Sequence, residues 1–169
     1  GANTVRLIQN PEPNSRIQKE MDVTLETTGS KVTIVHRLRN LAMWNIELAP
    51  WALTVMAAGG TEIIPLPGKI PHPQGLLPNS QIILWPYTDL SDSRWRFGHS
   101  YITFSQDKTK GPNKIGMAHK LKWVGYLLGS NLFVKTFDYL EGRHYPDNGA
   151  NLETFSNQEF LEVESLGPI

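Results

Sequence analysis

Hydrophobic and polar residues alternate along most of this chain with a period of two, the pattern of strands that bury one face. The clearest run is Glu20 to Glu26, which predicts Met21, Val23 and Leu25 inward and Glu20, Asp22, Thr24 and Glu26 outward. A turn at Thr28-Gly29-Ser30 leads into Lys31 to Asn40 with the same rhythm. There Val32, Ile34, His36 and Leu38 share one face, and Thr33, Val35, Arg37 and Arg39 the other. The two runs predict an antiparallel hairpin. A short strand, Val5 to Gln9, comes before them and is closed by Asn10-Pro11-Glu12-Pro13-Asn14.

From Trp44 to Ala58 the chain is apolar and aromatic but interrupted by Pro50. Proline cannot donate to a central ladder, so the stretch predicts a strand, a bend, and a second, buried strand from Ala52 to Ala57. Gly59-Gly60 turns into Glu62 to Leu66. Pro65 to Asn79 has no periodicity and holds prolines at 65, 67, 71, 73 and 78, which predicts a long irregular loop. Strands are then predicted over Ile82 to Trp85, Arg94 to Phe97, Tyr101 to Ser105, Lys114 to His119, Lys122 to Leu128 and Asn131 to Phe137. Gly129-Ser130 joins the last two as a two-residue hairpin. The turn cluster Pro146-Asp147-Asn148-Gly149 precedes a closing alternation in which Phe160, Glu162 and Glu164 oppose Leu161 and Val163. With about ten short strands, frequent turns and no helical stripe, the fold class is all-β, an antiparallel β-sandwich.

Composition narrows the function classes. Sixteen basic and sixteen acidic residues in a chain of 169 leave no net charge, and no basic block marks a nucleic-acid or anionic-membrane partner. No apolar run reaches the length of a membrane-spanning helix. The absence of cysteine removes disulfides, thiolate metal sites and cysteine nucleophiles, and leaves the compartment open. The length suits a single domain, residues 1–169.

Candidate chemistry is sparse. His36, His72, His99, His119 and His144 are scattered without metal-ligand spacing, and no phosphate loop, nucleophile elbow or dinucleotide fingerprint occurs, so no metal or cofactor is expected. His36, on an apolar strand face, is predicted to be a hydrogen-bonded core residue, whereas His99 lies beside Trp95 and Tyr101 in a more rim-like setting. Asp89 to Asp92 and Asp147-Asn148-Gly149 carry too few ligands for calcium loops and read as turns. Five tryptophans are many for this length. An indole face packs against core or against the apolar face of a sugar ring, its N–H free to bond a hydroxyl. Glu162 and Glu164, about 6–7 Å apart along one strand face, suit either a polyhydroxylated ligand or a solvated edge.

Several segments resemble the galactose-mutarotase-like (aldose 1-epimerase) superfamily, and in particular its uncharacterised bacterial branch. They are Ile17-Gln18-Lys19-Glu20-Met21, Val35 to Asn40, Leu48-Ala49-Pro50-Trp51-Ala52-Leu53-Thr54, and above all Phe160-Leu161-Glu162-Val163-Glu164-Ser165-Leu166-Gly167-Pro168. The resemblance implies a large supersandwich with a sugar cleft on its concave sheet, here in partial form. It also implies a late-strand glutamate acting as base toward the anomeric hydroxyl, a position Glu162 matches. The region where the superfamily's acid histidine usually lies reads Pro50 to Thr54, with no ionisable group. Family members are longer at both ends, so the chain is expected to lack flanking N-terminal and C-terminal strands.

The sequence therefore predicts a carbohydrate-binding domain of mutarotase-like fold. The enzymatic alternative is an aldose 1-epimerase-type isomerase with Glu162 as base and His99 as a relocated acid. A third possibility is an accessory β-domain of a larger carbohydrate-active protein. Trp51, Glu164, Glu153 and Lys135 are the further substrate-binding candidates. Glu162 and Glu164 are expected to face the cleft, with Leu161 and Val163 in the core. The expected partners are a sugar or oligosaccharide and further copies of the chain, joined through exposed sheet edges.

Overall fold

The computed structural model describes residues 3–169, which form antiparallel strands arranged in three sheets. The chain divides into two compact units, residues 1–48 and 49–169.

The first unit is one sheet of three strands, β1 (Thr4–Ile8), β2 (Ile17–Leu25) and β3 (Val32–Asn40), in that order. Met21 pairs with His36 and Val23 with Ile34, so the predicted hairpin and its faces are present. The predicted burial is reversed. Glu20 and Asp22 are the covered residues, at 7% and 9% exposure, while Leu25 and Ile34 are half exposed. A single sheet encloses no interior between layers. The acids instead lie under the side chains of Arg6, Arg37 and Arg39, which bond to them. His36, expected in the core, is exposed for the same reason. No strand forms between Trp44 and Pro50, where the Asn40 side chain bonds the Trp44 carbonyl and the Ala42 N–H and closes a turn.

The second unit is a sandwich of two five-stranded antiparallel sheets. Its remaining strands are β4 (Trp51–Met56), β5 (Thr61–Pro65), β6 (Ile82–Leu84), β7 (Trp95–Phe97), β8 (Tyr101–Ser105), β9 (Asn113–Met117), β10 (Trp123–Leu128), β11 (Asn131–Thr136), β12 (Leu152–Ser156) and β13 (Leu161–Leu166). One sheet runs β11-β10-β5-β8-β7 and the other β4-β13-β12-β9-β6. The core packs Ile64, Ile102, Phe104, Val124 and Tyr126 of the first against Ile115, Met117, Leu152, Leu161 and Val163 of the second. Trp95 stacks on Phe104 with ring centres 3.6 Å apart.

Gly129, at φ +59°, closes the β10–β11 hairpin, and the proline-rich segment between β5 and β6 is irregular, as the sequence predicts. Two elements differ from expectation. β4, predicted to be buried, is an edge strand paired only with β13, and its outward side chains Trp51, Leu53 and Val55 are exposed. The sequence pattern marks out no range for β12, which sits at the centre of its sheet between β13 and β9.

Candidate functional site

Alternation in the β4-β13-β12-β9-β6 sheet divides its side chains cleanly. Leu161, Val163, Leu152, Thr154, Ile115 and Met117 point toward the other sheet. The opposite, outer face therefore carries Trp51, Leu53 and Val55 of β4, Glu162 and Glu164 of β13, Glu153 and Phe155 of β12, and Lys114 and Gly116 of β9. This is the register expected of the closing strand, with Leu161 and Val163 fully buried in the core.

In register, Glu164 lies directly opposite Glu153, a like-charge pair that is unfavourable by itself. Lys114 resolves it. Its Nζ is 2.7 Å from Glu153 Oε2 and 2.9 and 3.2 Å from the two oxygens of Glu164. The Trp51 indole N–H donates to Glu164 Oε2 at 2.8 Å. Lys114 Nζ also lies over two indole rings, 4.8 Å from the centre of Trp85 and 5.4 Å from that of Trp51. Glu153 and Glu164 are 2% and 0% exposed, and Lys114 is 7% exposed, so little water reaches the group. Burial works against charge on Lys114, but the two carboxylates more than offset it and raise its pKa. Burial pushes Glu153 up to about 7 despite the ammonium beside it, with further upward contributions from Asp147 and Glu164. Its Oε1 is buried without a hydrogen-bond partner.

Local sequence explains why Trp85 reaches this group. Gly116 leaves room for the ring, since a Cβ there would stand 2.9 Å from Trp85 Cη2. Beyond β6, Trp85-Pro86-Tyr87-Thr88 forms a turn in which the Thr88 N–H bonds the Trp85 carbonyl at 2.9 Å, with proline at the position that favours it. The Thr88 hydroxyl then donates to the Lys114 carbonyl, fastening the turn to β9. Tyr87 is close enough to sense the group electrostatically. Its phenol is raised by burial, and the charges of Lys114, Glu164 and Glu153 act on it as well.

Glu162 stands opposite Val55 and Phe155, half buried, with no hydrogen bond or ion pair to any described residue. Burial raises its pKa, the charge of Glu164 adds to the rise, and Lys114 acts against it.

Of the residues singled out from sequence, Glu162, Glu164, Glu153 and Trp51 share this face. His99 and Lys135 do not. His99 is exposed on the β7–β8 turn of the other sheet, its Nδ1 3.2 Å from the Ser100 hydroxyl, and no bond joins it to Glu162. Lys135 enters the sandwich from β11 and donates to the carbonyls of Ala52 and Val163 at 2.9 and 3.0 Å. Burial lowers it to about 8. Near it Glu62, wholly enclosed and bonded by the Thr154 hydroxyl, is pushed up to about 8 by burial.

Lys114, Trp85 and Tyr87 were not singled out. Lys114 was within reach of sequence reading, because Ile115 and Met117 as core residues force Lys114 and Gly116 onto the opposite face. The buried histidine is His119, whose Nε2 lies 2.9 Å from the Trp123 carbonyl and whose pKa is lowered by burial, a structural role. Among the described residues no three metal-ligating side chains converge. Comparison with known proteins returns no match: no family model fits the chain, and no curated protein or solved structure is significantly similar to it.

Proposed function

We propose that residues 49–169 form a carbohydrate-binding module whose ligand lies across the outer face of the β4-β13-β12-β9-β6 sheet. One observation carries this reading: a fixed, open indole stands on the same face as an unpartnered carboxylate. Trp51 is 55% exposed, yet its N–H is tied to Glu164, so the ring is held in place with a face toward solvent. Such a face suits the C–H side of a pyranose. Because the N–H is already bonded, the ring stacks and the hydroxyls go to Glu162, whose oxygens are free to accept. The buried Lys114–Glu153–Glu164 group then serves to hold Trp51 rather than to touch ligand. This reading is in keeping with the galactose-mutarotase-like resemblance of the closing strand. Titration of a neutral oligosaccharide panel by calorimetry tests it: Trp51→Ala and Glu162→Gln are each expected to weaken binding by about tenfold or more. Wild-type affinities of Trp51→Ala for every binder would remove the platform from the site.

The epimerase alternative keeps Glu162 as base and needs an acid for the ring oxygen. General acid catalysis requires a titratable donor within hydrogen-bond reach, and His99 stands on the other sheet. We expect freshly dissolved aldoses to mutarotate no faster with protein than with buffer in polarimetry. A rate that rises with enzyme concentration and falls in Glu162→Gln would establish the enzyme instead.

Association of copies is supported by the open edges. β4 and β11 each end a sheet, and Leu53, Val55, Leu132 and Val134 on them are exposed. Edge strands with apolar side chains recruit further strands. Sedimentation at micromolar concentration is expected to show a dimer or larger species, and a monomer would exclude edge pairing.

A further inference from the structure

The charges on the outer face do not balance, and the surplus has a consequence for the ligand. Glu162 and Glu164 share the face with one ammonium, that of Lys114, while Glu153, pushed up to about 7 by burial, keeps its proton at pH 6. Lys114 is committed to Glu153 and Glu164. Glu162, two residues along the strand from Glu164, has no cation of its own. The indole of Trp51 contributes in the same sense, because its open face presents the negative side of the ring quadrupole, to which cations are drawn.

Resting on the carbohydrate reading above, we infer that this face selects sugars bearing a free, protonated amine over neutral and acidic sugars, with Glu162 as the residue that receives the ammonium. The ring would stack on Trp51 as any pyranose does. The amine supplies the charge that the face lacks, and its N–H donors are charge-assisted toward Glu162. A uronate would bring a further negative charge beside Glu162, which has no cation of its own. An N-acetylated amino sugar keeps the ring and the nitrogen but not the charge, which makes it the informative control.

The test is calorimetric titration at pH 6 and low salt with short oligomers of glucosamine, N-acetylglucosamine, glucose and a uronic acid, on wild type, Glu162→Gln and Glu162→Asp. The glucosamine oligomer is expected to bind about tenfold or more tighter than its acetylated counterpart, since a charged hydrogen bond replaces a neutral one. The uronate oligomer is expected to bind weakest. The preference should collapse in Glu162→Gln, persist in part in Glu162→Asp, and shrink with added salt. Thermal melting of each variant confirms folding. Equal affinity for the glucosamine and N-acetylglucosamine oligomers overturns the selectivity and leaves the carbohydrate reading standing. A preference that survives Glu162→Gln overturns the role of Glu162. Failure of every oligomer to bind folded wild-type protein overturns both.

Discussion

On the polar face of the N-terminal sheet, Asp22 meets Arg6 and Arg37, and Glu20 meets Arg39, through guanidinium groups that stay partly in water. On the outer face of the C-terminal sandwich, Glu153 and Glu164 meet one ammonium with almost no water left. Both are cross-strand charge networks on antiparallel sheets, but they differ in what surrounds them. The first is a row of opposite charges in which each acid has its own cation, so its members hold Asp22 well below the usual carboxylate range. The second sets two carboxylates face to face, covers them with indoles and leaves one oxygen unpaired. Exposed pairs contribute little to stability, while a desolvated group is costly to assemble and costlier to break. Through Glu164 this group also holds the Trp51 indole, whose N–H donates to it at 2.8 Å.

Removing the shared cation is the largest way to break the contrast. Lys114→Met leaves two buried carboxylates facing each other, and urea unfolding is expected to show a loss of about 3–5 kcal/mol at neutral pH. Part of that loss should return at acidic pH, where the carboxylates take up protons. An unchanged urea midpoint would mean that the group is solvated and that the contrast is unfounded.

The second effect is pH dependence. Glu62 is raised from 4.5 to about 8 in the folded protein, and Glu153 to about 7. Folding therefore retains protons that the unfolded chain releases. The contribution is fully present below about pH 4.5 and is lost as pH rises through 7 and 8. Lys135, lowered from 10.5 to about 8, has the opposite sense, its contribution present above pH 10.5 and lost as pH falls through 8. Melting temperature is expected to fall between pH 5 and 8, and Glu62→Gln is expected to flatten that fall. A profile rising across this interval would show that Glu62 is ionised in the fold.

Smaller still is Gly116→Ala. The added Cβ would stand 2.9 Å from the Trp85 ring, which overpacking rules put at about 1–3 kcal/mol by chemical denaturation. At the bottom of the range is Arg6→Ala on the solvated network, whose melting midpoint should be hardly distinguishable from wild type and should converge on it with added salt. A loss as large as that of Lys114→Met would erase the distinction between the two faces.

Much of the fold was legible because its strands alternate. The β2–β3 faces, the β10–β11 hairpin and the inward Leu161 and Val163 all follow from period two. What alternation does not carry is which face is covered. In β2 the same pattern that places Met21 and Val23 together leaves them without a second layer, and the acids are covered instead by arginines from neighbouring strands. β4 reads as buried because it is apolar, but its position at the end of a sheet is a property of strand order. The candidate face was legible where it includes the closing strand, whose alternation sets Glu162 and Glu164 opposite Leu161 and Val163. Alternation in β9 puts Lys114 on that face, but its partners, the carboxylates of β12 and β13, lie 39 and 50 residues away, and only strand order brings them together. His99 reads as a rim residue beside Trp95 and Tyr101 and Lys135 as a neighbour of the closing strand, but strand order puts both on the other sheet.

The central claim is that the outer face around Trp51 and Glu162 binds carbohydrate, and the most direct measurement is the set of indole N–H signals in a nitrogen-correlated NMR spectrum. Five tryptophans give five such signals. Added oligosaccharide is expected to shift the Trp51 signal in a saturable way and to leave that of Trp95, enclosed in the core at 6% exposure, unmoved. A Trp51 signal that stays fixed across the neutral and amine-bearing oligomers, in protein that is folded by the dispersion of its spectrum, would contradict the account.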